Sequence, residues 1–561
     1  MNQVASNART GAQVLVDQLT IQGVEHVFCV PGESYLAVLD AFHDANINIT
    51  VARHETGAGI MADASARLTG RPGIVFATRG PGAMNAAHAM HIAEHDSTPL
   101  ILFLGQVGRS MRGRGAFQEM DYEDVFGSVA KWSVEISDPA RIPEIVSRAF
   151  HTAMQGRPGP VVVSLPEDML RQKVSVNDAP CAEAAQPAPN QLDMDRLRDA
   201  LANAERPIAI IGGGGWSAQA CRQFQSFAEA FDLPVITSFR RTMLFDAEHE
   251  NYAGELALGA NPKLVERIKQ SDLVLLTGGR MAEVPSQGFS LFAIPEPVQT
   301  FIHVHADPEE LGRIYSPDIA ICSAPPAFCA ALADIAPPVP VCWSRHTADA
   351  RADYLDFTSH APQTPGNVQM AQIMLWLRQN LPEDAIITNG AGNYAIWVGR
   401  YMRIRKFGGL LAPVSGSMGF GLPAAVGAKR VFPDRLVVSF NGDGCFLMNG
   451  QEFATAVQYE LPIIAIVMDN SIYGTIRMHQ EREYPGRISA TSMRSPDFAA
   501  LARAYGGHGE TVESTDEFAP AWEGARASGL PAIIHVKIDP EAITPVTTLS
   551  AIRDASLSRR T

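Results

Sequence analysis

Cysteine is scarce in this sequence, and the seven cysteines among its 561 residues lie far apart. No Cys-x-x-Cys pair and no Cys/His spacing typical of a zinc site occurs. The sequence therefore predicts isolated thiols rather than a disulfide framework, which favours a reducing, cytoplasmic compartment. Long apolar runs are also missing, since none reaches the roughly 18 residues that a membrane-spanning helix requires. The first residues show no apolar core of signal-peptide length.

Positive charge is in short supply as well. The formal net charge is −15, the charged fraction is 19% and the hydrophobic fraction is 46%. This balance predicts a globular protein and argues against a nucleic acid or an anionic membrane as a partner. A chain of this length is expected to fold into about three to four domains.

Short apolar runs alternate with helical patterns along the chain, which predicts an α/β fold of three domains with mostly parallel sheets. Two Pro-rich stretches without periodicity, residues 171–193 and Ala336–Pro340, indicate linkers. A polar stretch after the second linker reaches Gly366. The expected domains span residues 1–175, 190–340 and 365–546, and residues 547–561 are expected to form a short charged tail.

One stretch of the third domain has a regular order of elements. The apolar run Leu436–Phe440 is followed by Gly442-Asp443-Gly444, and a helical pattern extends from about Asn449 to Gln458. A second apolar run, Ile463–Met468, ends just before Asn470. Parallel strands joined by a helix have their carboxyl ends side by side, where open α/β sheets bind ligands. The pattern therefore predicts that Asp443 and Asn470 lie together.

A carboxylate, an amide oxygen and a backbone carbonyl form a hard, all-oxygen site. Asp443, Asn470 and the carbonyl of Ile472 would suit Mg²⁺ that also holds a diphosphate. Gly442 and Gly444 would let the backbone approach the phosphates closely. A surface turn beside an ordinary strand end is the alternative for an isolated Gly-Asp-Gly.

Glu55 lies where a predicted strand, Ile47–Val51, passes into a helix rich in small residues, Thr56–Leu68. A glutamate at a helix start often serves only to interact favourably with the helix dipole. Because the Asp443 and Asn470 stretch occurs in the same chain, Glu55 is instead a candidate catalytic residue. Glycine-rich turns that follow other predicted strands could bind an anion or be plain turns; they are Gly80–Asn85, Asn389–Tyr394 and Ser415–Gly421.

These motifs together resemble those of thiamine-diphosphate enzymes. Gly442-Asp443-Gly444 and Asn470 are similar to the family's GDG and NN motif, although Asp469 stands where its first Asn is usual. Arg53–Gly70 resembles the RHE segment of the family, and Gly80–Asn85 its GPGxxN turn. The resemblance covers nearly the whole chain and is strongest to the acetohydroxyacid synthase (acetolactate synthase) branch. Three further segments are similar to that branch: Gly115–Asp121, residues 156–168 and His303–Gly312.

The resemblance implies a pyrimidine-binding, a middle and a diphosphate-binding domain, and it implies a role for each motif. Glu55 would hydrogen-bond the aminopyrimidine and promote loss of the C2 proton, and Met418 would support the bent cofactor. Phe117 and Gln118 would line the reaction pocket. His479, in place of the branch's tryptophan, would contact substrate or move a proton. Asp443, Asn470 and Ile472 would hold Mg²⁺, and the other expected cofactor contacts are Pro31, Gly32, Gly82, Asn85, Gly392, Asn393, Tyr394, Ser417, Gly442, Gly444 and Tyr473.

The sequence departs from this branch at two places, one that changes a charge and one that bears on flavin binding. Glu167 stands where the branch has a lysine, and Gly278–Val284 lacks the second arginine of the branch's flavin-domain run. FAD is a possible cofactor, for which the glycine-rich loop Gly212–Gly215 is weak evidence.

The expected activity is a carboligase that joins a decarboxylated, pyruvate-like 2-keto acid to an aldehyde or ketone acceptor. A 2-keto-acid decarboxylase and a non-decarboxylating acyloin lyase remain alternatives. A non-catalytic cofactor-binding protein is a further one. The resemblance also implies a homodimer or homotetramer whose active site lies between subunits.

Overall fold

A computed structural model of the chain describes residues 8–560. The chain separates into two compact units, Met1–Ala185 and Gln186–Thr561. The first unit has one six-stranded parallel sheet, and the second unit has two. The prediction of an α/β fold with mostly parallel sheets is therefore confirmed.

The first unit is a parallel sheet covered by helices. Its elements are β1 (Arg9–Thr10), α1 (Gly11–Ile21), β2 (His26–Cys29), α2 (Leu36–Phe42), β3 (Asn48–Val51), α3 (Glu55–Thr69), β4 (Gly73–Ala77), α4 (Gly80–Asp96), β5 (Leu100–Gln106), α5 (Tyr122–Phe126), β6 (Trp132–Glu135), α6 (Ile142–Met154), β7 (Pro160–Pro166), α7 (Glu167–Arg171) and β8 (Lys173–Val174). The sheet order is β3-β2-β4-β5-β7-β6, and β1 pairs with β8 antiparallel. Strands β5 and β7 are buried along their whole length, as expected for strands covered on both faces.

The second unit begins with the middle sheet. Its elements are α8 (Gln191–Ala202), β9 (Pro207–Ile211), α9 (Ala218–Ala230), β10 (Val235–Ser238), β11 (Tyr252–Leu256), α10 (Pro262–Lys269), β12 (Leu273–Thr277), β13 (Thr300–His305), β14 (Ile319–Cys322), α11 (Pro325–Ala331) and α12 (Ser344–Ser359). The sheet order is β11-β10-β9-β12-β13-β14. Counted along the chain this is 3-2-1-4-5-6, the order of dinucleotide-binding sheets.

The third sheet completes the second unit. Its elements are α13 (Met370–Asn380), β15 (Ile386–Asn389), α14 (Tyr394–Tyr401), β16 (Leu410–Leu411), α15 (Gly421–Val431), β17 (Val437–Gly442), α16 (Asp443–Asn449), α17 (Glu452–Gln458), β18 (Ile463–Asp469), α18 (Gly474–Glu483), α19 (Phe498–Ala504), β19 (His508–Val512), α20 (Phe518–Ala527), β20 (Ala532–Lys537) and α21 (Leu549–Ser558). The order is β16-β15-β17-β18-β20-β19. Counted within each sheet, the first and third sheets share the order 2-1-3-4-6-5, in which the order reverses beside the first strand.

Several boundaries differ from the expectation. The polar stretch before Gly366 contains α12, and the expected tail forms α21. Helix α16 starts at Asp443 itself, and a break separates it from α17. Helix α21 is fixed by Arg553, whose guanidinium donates to both carboxylate oxygens of Glu481 at 2.8 and 2.7 Å. These hydrogen bonds lower the pKa of Glu481 to about 2.

Helices α3 and α4 of the first unit are joined by a buried charge cluster. Arg67 lies 2.7 Å from Asp63 and 3.0 Å from Asp96, and all three side chains are almost completely buried. Burial raises the pKa of Asp63 to about 6, although Arg67 opposes the shift. The small residues of α3 allow the close helix contact, and this cluster fixes how the two helices lie along each other.

Within residues 8–560, no helix is both long and apolar enough to cross a membrane.

We expect Arg67→Met to lower the free energy of unfolding by about 3–5 kcal/mol, because it leaves two carboxylates buried without their cation. Urea denaturation followed by circular dichroism measures the change. Arg141→Ala is the matched control, since Arg141 and Glu144 form an exposed ion pair at 2.7 Å. That pair should contribute less than about 1 kcal/mol. Similar losses in the two variants would contradict the structural role of the cluster.

Candidate active site

The first group of predicted residues lies at the start of α3 and α4, and we call Glu55, Gly82, Asn85 and Gln118 the Glu55 cluster. Glu55 is the first residue of α3, and its carboxylate is 7% exposed. Asn85 of α4 donates its side-chain N–H to Glu55 Oε2 at 2.9 Å. Thr56 in turn donates its hydroxyl to the Asn85 carbonyl at 2.5 Å. The carboxylate is therefore held by a neighbouring helix rather than turned to solvent.

Gly82 lies so close to this carboxylate that a larger residue would be crowded there. A Cβ atom at Gly82 would lie 3.0 Å from Glu55 Oε1 and 2.9 Å from a methyl group of Thr78. The turn after β4 also contacts the turn after β2, where Pro31 and Gly32 lie, because the hydroxyls of Ser34 and Thr78 are 3.0 Å apart. Strands β2 and β4 are the neighbours at which the sheet order reverses. Sheets of this kind bind ligands at that position.

Gln118 has a left-handed backbone, with φ at +63°. Its carbonyl accepts the N–H of Gly80 at 3.1 Å, so it lies beside the turn that holds Gly82. Phe117, next to it, is 73% exposed. Strained non-glycine residues are costly and occur often at ligand sites, which makes Gln118 a candidate site residue.

Glu167 has a partner that the sequence did not reveal. Arg79, one residue before the Gly80–Asn85 turn, donates to Glu167 at 2.7 Å and lies 3.5 Å from Glu33. The Arg79 side chain is 9% exposed. The carboxylate at position 167 is thus neutralised by an arginine from the turn next to the Glu55 cluster.

The second group lies at the carboxyl ends of β17 and β18, and we call Asp443, Asp469, Asn470 and Ile472 the Asp443 cluster. Asp443, at the N-terminus of α16, is 4% exposed. Its carboxylate accepts the N–H groups of Gly444 and Ser471, both at 2.8 Å, and the hydroxyl of Ser495 at 3.1 Å. Burial, and secondly the neighbouring Asp469, raise the pKa of Asp443 to about 6.

Asp469 is compensated by a histidine. Its carboxylate accepts the N–H and hydroxyl of Ser471 at 2.9 and 3.0 Å, and it lies 2.9 Å from His535 Nε2. Burial alone would raise the pKa of Asp469, but hydrogen bonds donated by His535 and by Asp443 hold it well below its usual range. His535, on β20, is 2% exposed. An aspartate is therefore accommodated where an asparagine was expected.

Asn470 and Ile472 are held in the same turn. Asn470 Oδ1 accepts the N–H of Ile472 at 3.3 Å, and Ser471 between them has φ at +54°. Ile472 pairs with Ser492 in an antiparallel bridge. The structure thus brings together the residues expected at a Mg²⁺ site. Within residues 8–560 no group of three or more His, Cys, Asp or Glu side chains forms a metal site, but the expected set includes an amide and a backbone carbonyl. One buried carboxylate, one partly buried amide oxygen and one backbone carbonyl form an oxygen set that fits Mg²⁺.

The glycine turn after β15 is joined to α16 through Tyr394. The Tyr394 hydroxyl accepts the Gly390 N–H at 3.0 Å and donates to Cys445 Sγ at 3.3 Å. Cys445 also accepts the N–H of Gly419, next to Met418, at 3.2 Å. The expected cofactor residues around Gly392, Ser417 and Gly442 are therefore parts of one network. Cys445 was not predicted, since a single buried thiol has no spacing signal.

Helix α18 contacts this network through Thr475 and Met478, whereas the sequence predicts His479 as its functional residue. Thr475 donates its hydroxyl to Asn393 Oδ1 at 2.8 Å, and the sulfur of Met478 is 3.5 Å from Asn393 Nδ2. His479 is exposed, and its Nδ1 lies 3.4 Å from the Arg482 guanidinium. The face of α18 toward the network thus carries Thr475 and Met478, at a helical spacing of three residues.

The glycine-rich loop of the middle sheet is filled by the protein itself. A Cβ atom at Gly213 would lie 1.8 Å from the Gly278 carbonyl oxygen, so the glycine is required by the close approach of two strand ends. Trp216 donates its indole N–H to the Gly212 carbonyl at 2.7 Å, and Arg241 donates to the Gly213 carbonyl at 2.9 Å. Packing therefore accounts for this loop without a ligand.

Three family models match consecutive parts of the chain. The thiamine pyrophosphate enzyme N-terminal TPP binding domain matches residues 9–125. The central domain of the same enzymes matches residues 194–332, and the C-terminal TPP binding domain matches residues 390–536. The Glu55 and Asp443 clusters lie within the first and last of these matches.

Curated relatives match over nearly the full length. The acetolactate synthase isozyme 2 large subunit of Escherichia coli (strain K12) is 31% identical over 94% of this chain and 95% of its own. The acetolactate synthase large subunit of Parasynechococcus marenigrum (strain WH8102) is 32% identical over 94% and 87%. The acetolactate synthase of Mycobacterium bovis (strain ATCC BAA-935 / AF2122/97) is 31% identical over 96% and 90%.

We expect His535→Gln to lower the free energy of unfolding by about 1.5–3 kcal/mol at pH 7.5, because Asp469 loses the hydrogen bond from the His535 ring beside Asp443. Urea denaturation measures the loss. His508→Gln is the control, since His508 and Glu510 form a pair of similar length, 2.8 Å, whose side chains are 28% and 34% exposed. The His508→Gln variant should lose less than about 1 kcal/mol of its free energy of unfolding.

The double variant Asp469→Asn/His535→Gln removes the buried charge together with its partner. It should therefore recover part of the stability lost in His535→Gln. A loss no larger than that of the His508 control, or no recovery in the double variant, would show that the pair does not stabilise this turn.

Proposed function

The chain belongs to the thiamine pyrophosphate enzyme family as an acetolactate-synthase-like carboligase, and from that membership we propose that it joins a decarboxylated, pyruvate-like 2-keto acid to a second carbonyl compound. The observation that carries the proposal is the buried Glu55 carboxylate, fixed by Asn85 beside the close approach of Gly82. In the net reaction the donor loses CO₂ and its acyl carbon forms a bond to the acceptor carbonyl carbon. The acceptor oxygen takes up a proton, which gives a 2-hydroxy ketone or an acetohydroxy acid.

Thiamine diphosphate, when bound, supplies the carbon nucleophile and takes up the electrons released with CO₂. Glu55 would bind the aminopyrimidine and hold a proton there, with Asn85 fixing its orientation. Asp443, Asn470 and the Ile472 carbonyl would hold Mg²⁺ against the diphosphate, and the turn that contains Gly392 and Asn393 would bind the phosphates. Phe117 and Gln118 would shape the pocket around the reacting carbonyl groups.

FAD has little support as a cofactor of this protein. The order of the middle sheet is one that dinucleotide-binding proteins use, but the Gly212–Gly215 loop is filled by Trp216 and Arg241. These residues do not offer FAD a cradle at this loop, and no step of the proposed reaction uses a flavin. His479, exposed on α18, is likewise not needed for it.

We propose a homodimer or homotetramer in which the Glu55 cluster of one subunit and the Asp443 cluster of a neighbour bind one cofactor. Large apolar side chains next to both clusters are exposed in the single chain and would be covered by such an assembly. They are Leu36, Met84 and Phe117 in the first unit and Leu447, Met448 and Ile476 in the second.

The domain bounds 1–175, 190–340 and 365–546 and the cytoplasmic location remain predictions from the sequence.

Glu55→Gln should lower kcat at least about 10²-fold, the usual contribution of a positioned proton-transfer group, and should leave binding of thiamine diphosphate in place. Asp443→Asn is the complementary variant, because it should lose Mg²⁺-dependent cofactor binding itself. Tryptophan fluorescence titration with thiamine diphosphate and Mg²⁺ gives binding, and consumption of 2-keto acid gives turnover. Unchanged turnover in Glu55→Gln would contradict the proposed role of this carboxylate.

With pyruvate as sole substrate, thiamine diphosphate and Mg²⁺, we expect CO₂ and a carboligation product to appear together. Following both products separates the possible activities. CO₂ with aldehyde alone would identify a decarboxylase. If pyruvate is not consumed, the pyruvate-like donor is wrong, and an acyloin and other 2-keto acids should be offered as donors with aldehyde acceptors.

A further inference from the structure

A loop of the middle sheet holds a further unusual backbone, at Arg240. This residue follows β10, is 7% exposed and has φ at +58°. A left-handed arginine is unfavourable and persists only where surrounding contacts fix it. The contacts that fix Arg240 therefore indicate what the loop is built to do.

The backbone of Arg240 is fixed from within the middle sheet. Its N–H donates to Glu255 Oε1 on β11 at 2.5 Å, and its carbonyl accepts from the guanidinium of Arg241 at 3.1 Å. The guanidinium of Arg240 lies over the ring of Phe239, 4.8 Å from its centre. Burial raises the pKa of Glu255 to about 7, although Arg240 opposes the shift.

The side chain of Arg240 extends to the third sheet. One guanidinium nitrogen donates to the Gly390 carbonyl at 2.9 Å, and the other donates to the Pro413 carbonyl. Gly390 opens the turn after β15 and also donates to Tyr394. Pro413 lies just before the Ser415–Gly421 turn, and its carbonyl accepts the Gly416 N–H at 3.1 Å. A single guanidinium thus joins the two turns that lead to Gly392 and to Met418.

We propose that Arg240 is a positioning residue that sets the two cofactor-binding turns of the third sheet before the cofactor arrives, so that affinity for thiamine diphosphate depends on the middle domain. The inference rests on the proposed function. A planar guanidinium can reach two carbonyl groups at fixed spacing, whereas an ammonium or a thioether cannot. Turns that are ordered in advance bind more tightly, because less ordering remains for the binding step.

The test compares Arg240→Lys and Arg240→Met with the unchanged protein. We expect the Kd for thiamine diphosphate, at saturating Mg²⁺, to rise at least tenfold in both variants. We expect kcat at saturating cofactor to stay within about threefold, because Arg240 does not touch the reacting atoms. Amide hydrogen exchange at residues 390–394 and 413–419 should become faster in the cofactor-free variants and return toward normal on loading.

Arg351→Met is the matched control. Arg351 of α12 also donates to backbone carbonyls, those of Ala247 at 2.9 Å and Glu248 at 3.0 Å, with a side chain 12% exposed. It should alter stability and leave the Kd unchanged. If Arg240→Met does not fold, Arg240→Lys, which keeps the charge but not the two-pronged guanidinium, still decides the question.

Two negative outcomes are distinguishable. If the unchanged protein binds no thiamine diphosphate, the proposed function is wrong and the inference falls with it. If the unchanged protein binds the cofactor and the Arg240 variants bind it equally well, with unaltered exchange at both turns, then the inference alone is wrong. An equal rise of Kd in Arg351→Met would also overturn it, since the effect would then be general destabilisation.

Discussion

The bond between the Asp443 carboxylate and the Ser471 N–H joins the residues that follow β17 and β18, and the geometry of the Asp443 cluster depends on it. It places two carboxylates, those of Asp443 and Asp469, together in a buried turn. Buried negative charge of this kind needs donors from several directions. The residues that supply them, Ser495 before α19 and His535 on β20, tie neighbouring elements of the sheet to the same turn.

Much of the fold could be predicted because its signals are local. The sequence from Leu436 to Asn470 predicts a strand, a helical region and a strand from apolar runs and their spacing alone. Helices α12 and α21 could not be predicted in this way, since their sequences are largely polar. What holds α21 is the pair of Glu481 and Arg553, which are 72 positions apart in sequence. Such a contact leaves no trace in the local pattern.

In the candidate site, too, residues with a local sequence signal could be predicted, whereas their partners from distant parts of the chain could not. Glu55, Asp443 and Asn470 could be named from the sequence, because each lies at the junction of a strand and a helix within a spaced motif. The residues that pair with Asp469 and Glu167 could not be named from the sequence. Asp469 is matched by His535, and Glu167 by Arg79, from elements distant in sequence. In both places, a residue that departs from the expected pattern is accompanied by a partner that binds its carboxylate.

The way α21 is attached has a practical consequence for handling the protein. Leu549 is the one residue buried among Leu549–Ser558, so the helix is held mainly by polar contacts, among them Arg553 on Glu481 and Ser556 on the Arg482 carbonyl. Glu481 and Arg477 belong to α18, which also carries Thr475 and Met478 toward the cofactor network. Truncation within α21 would therefore remove contacts that support α18.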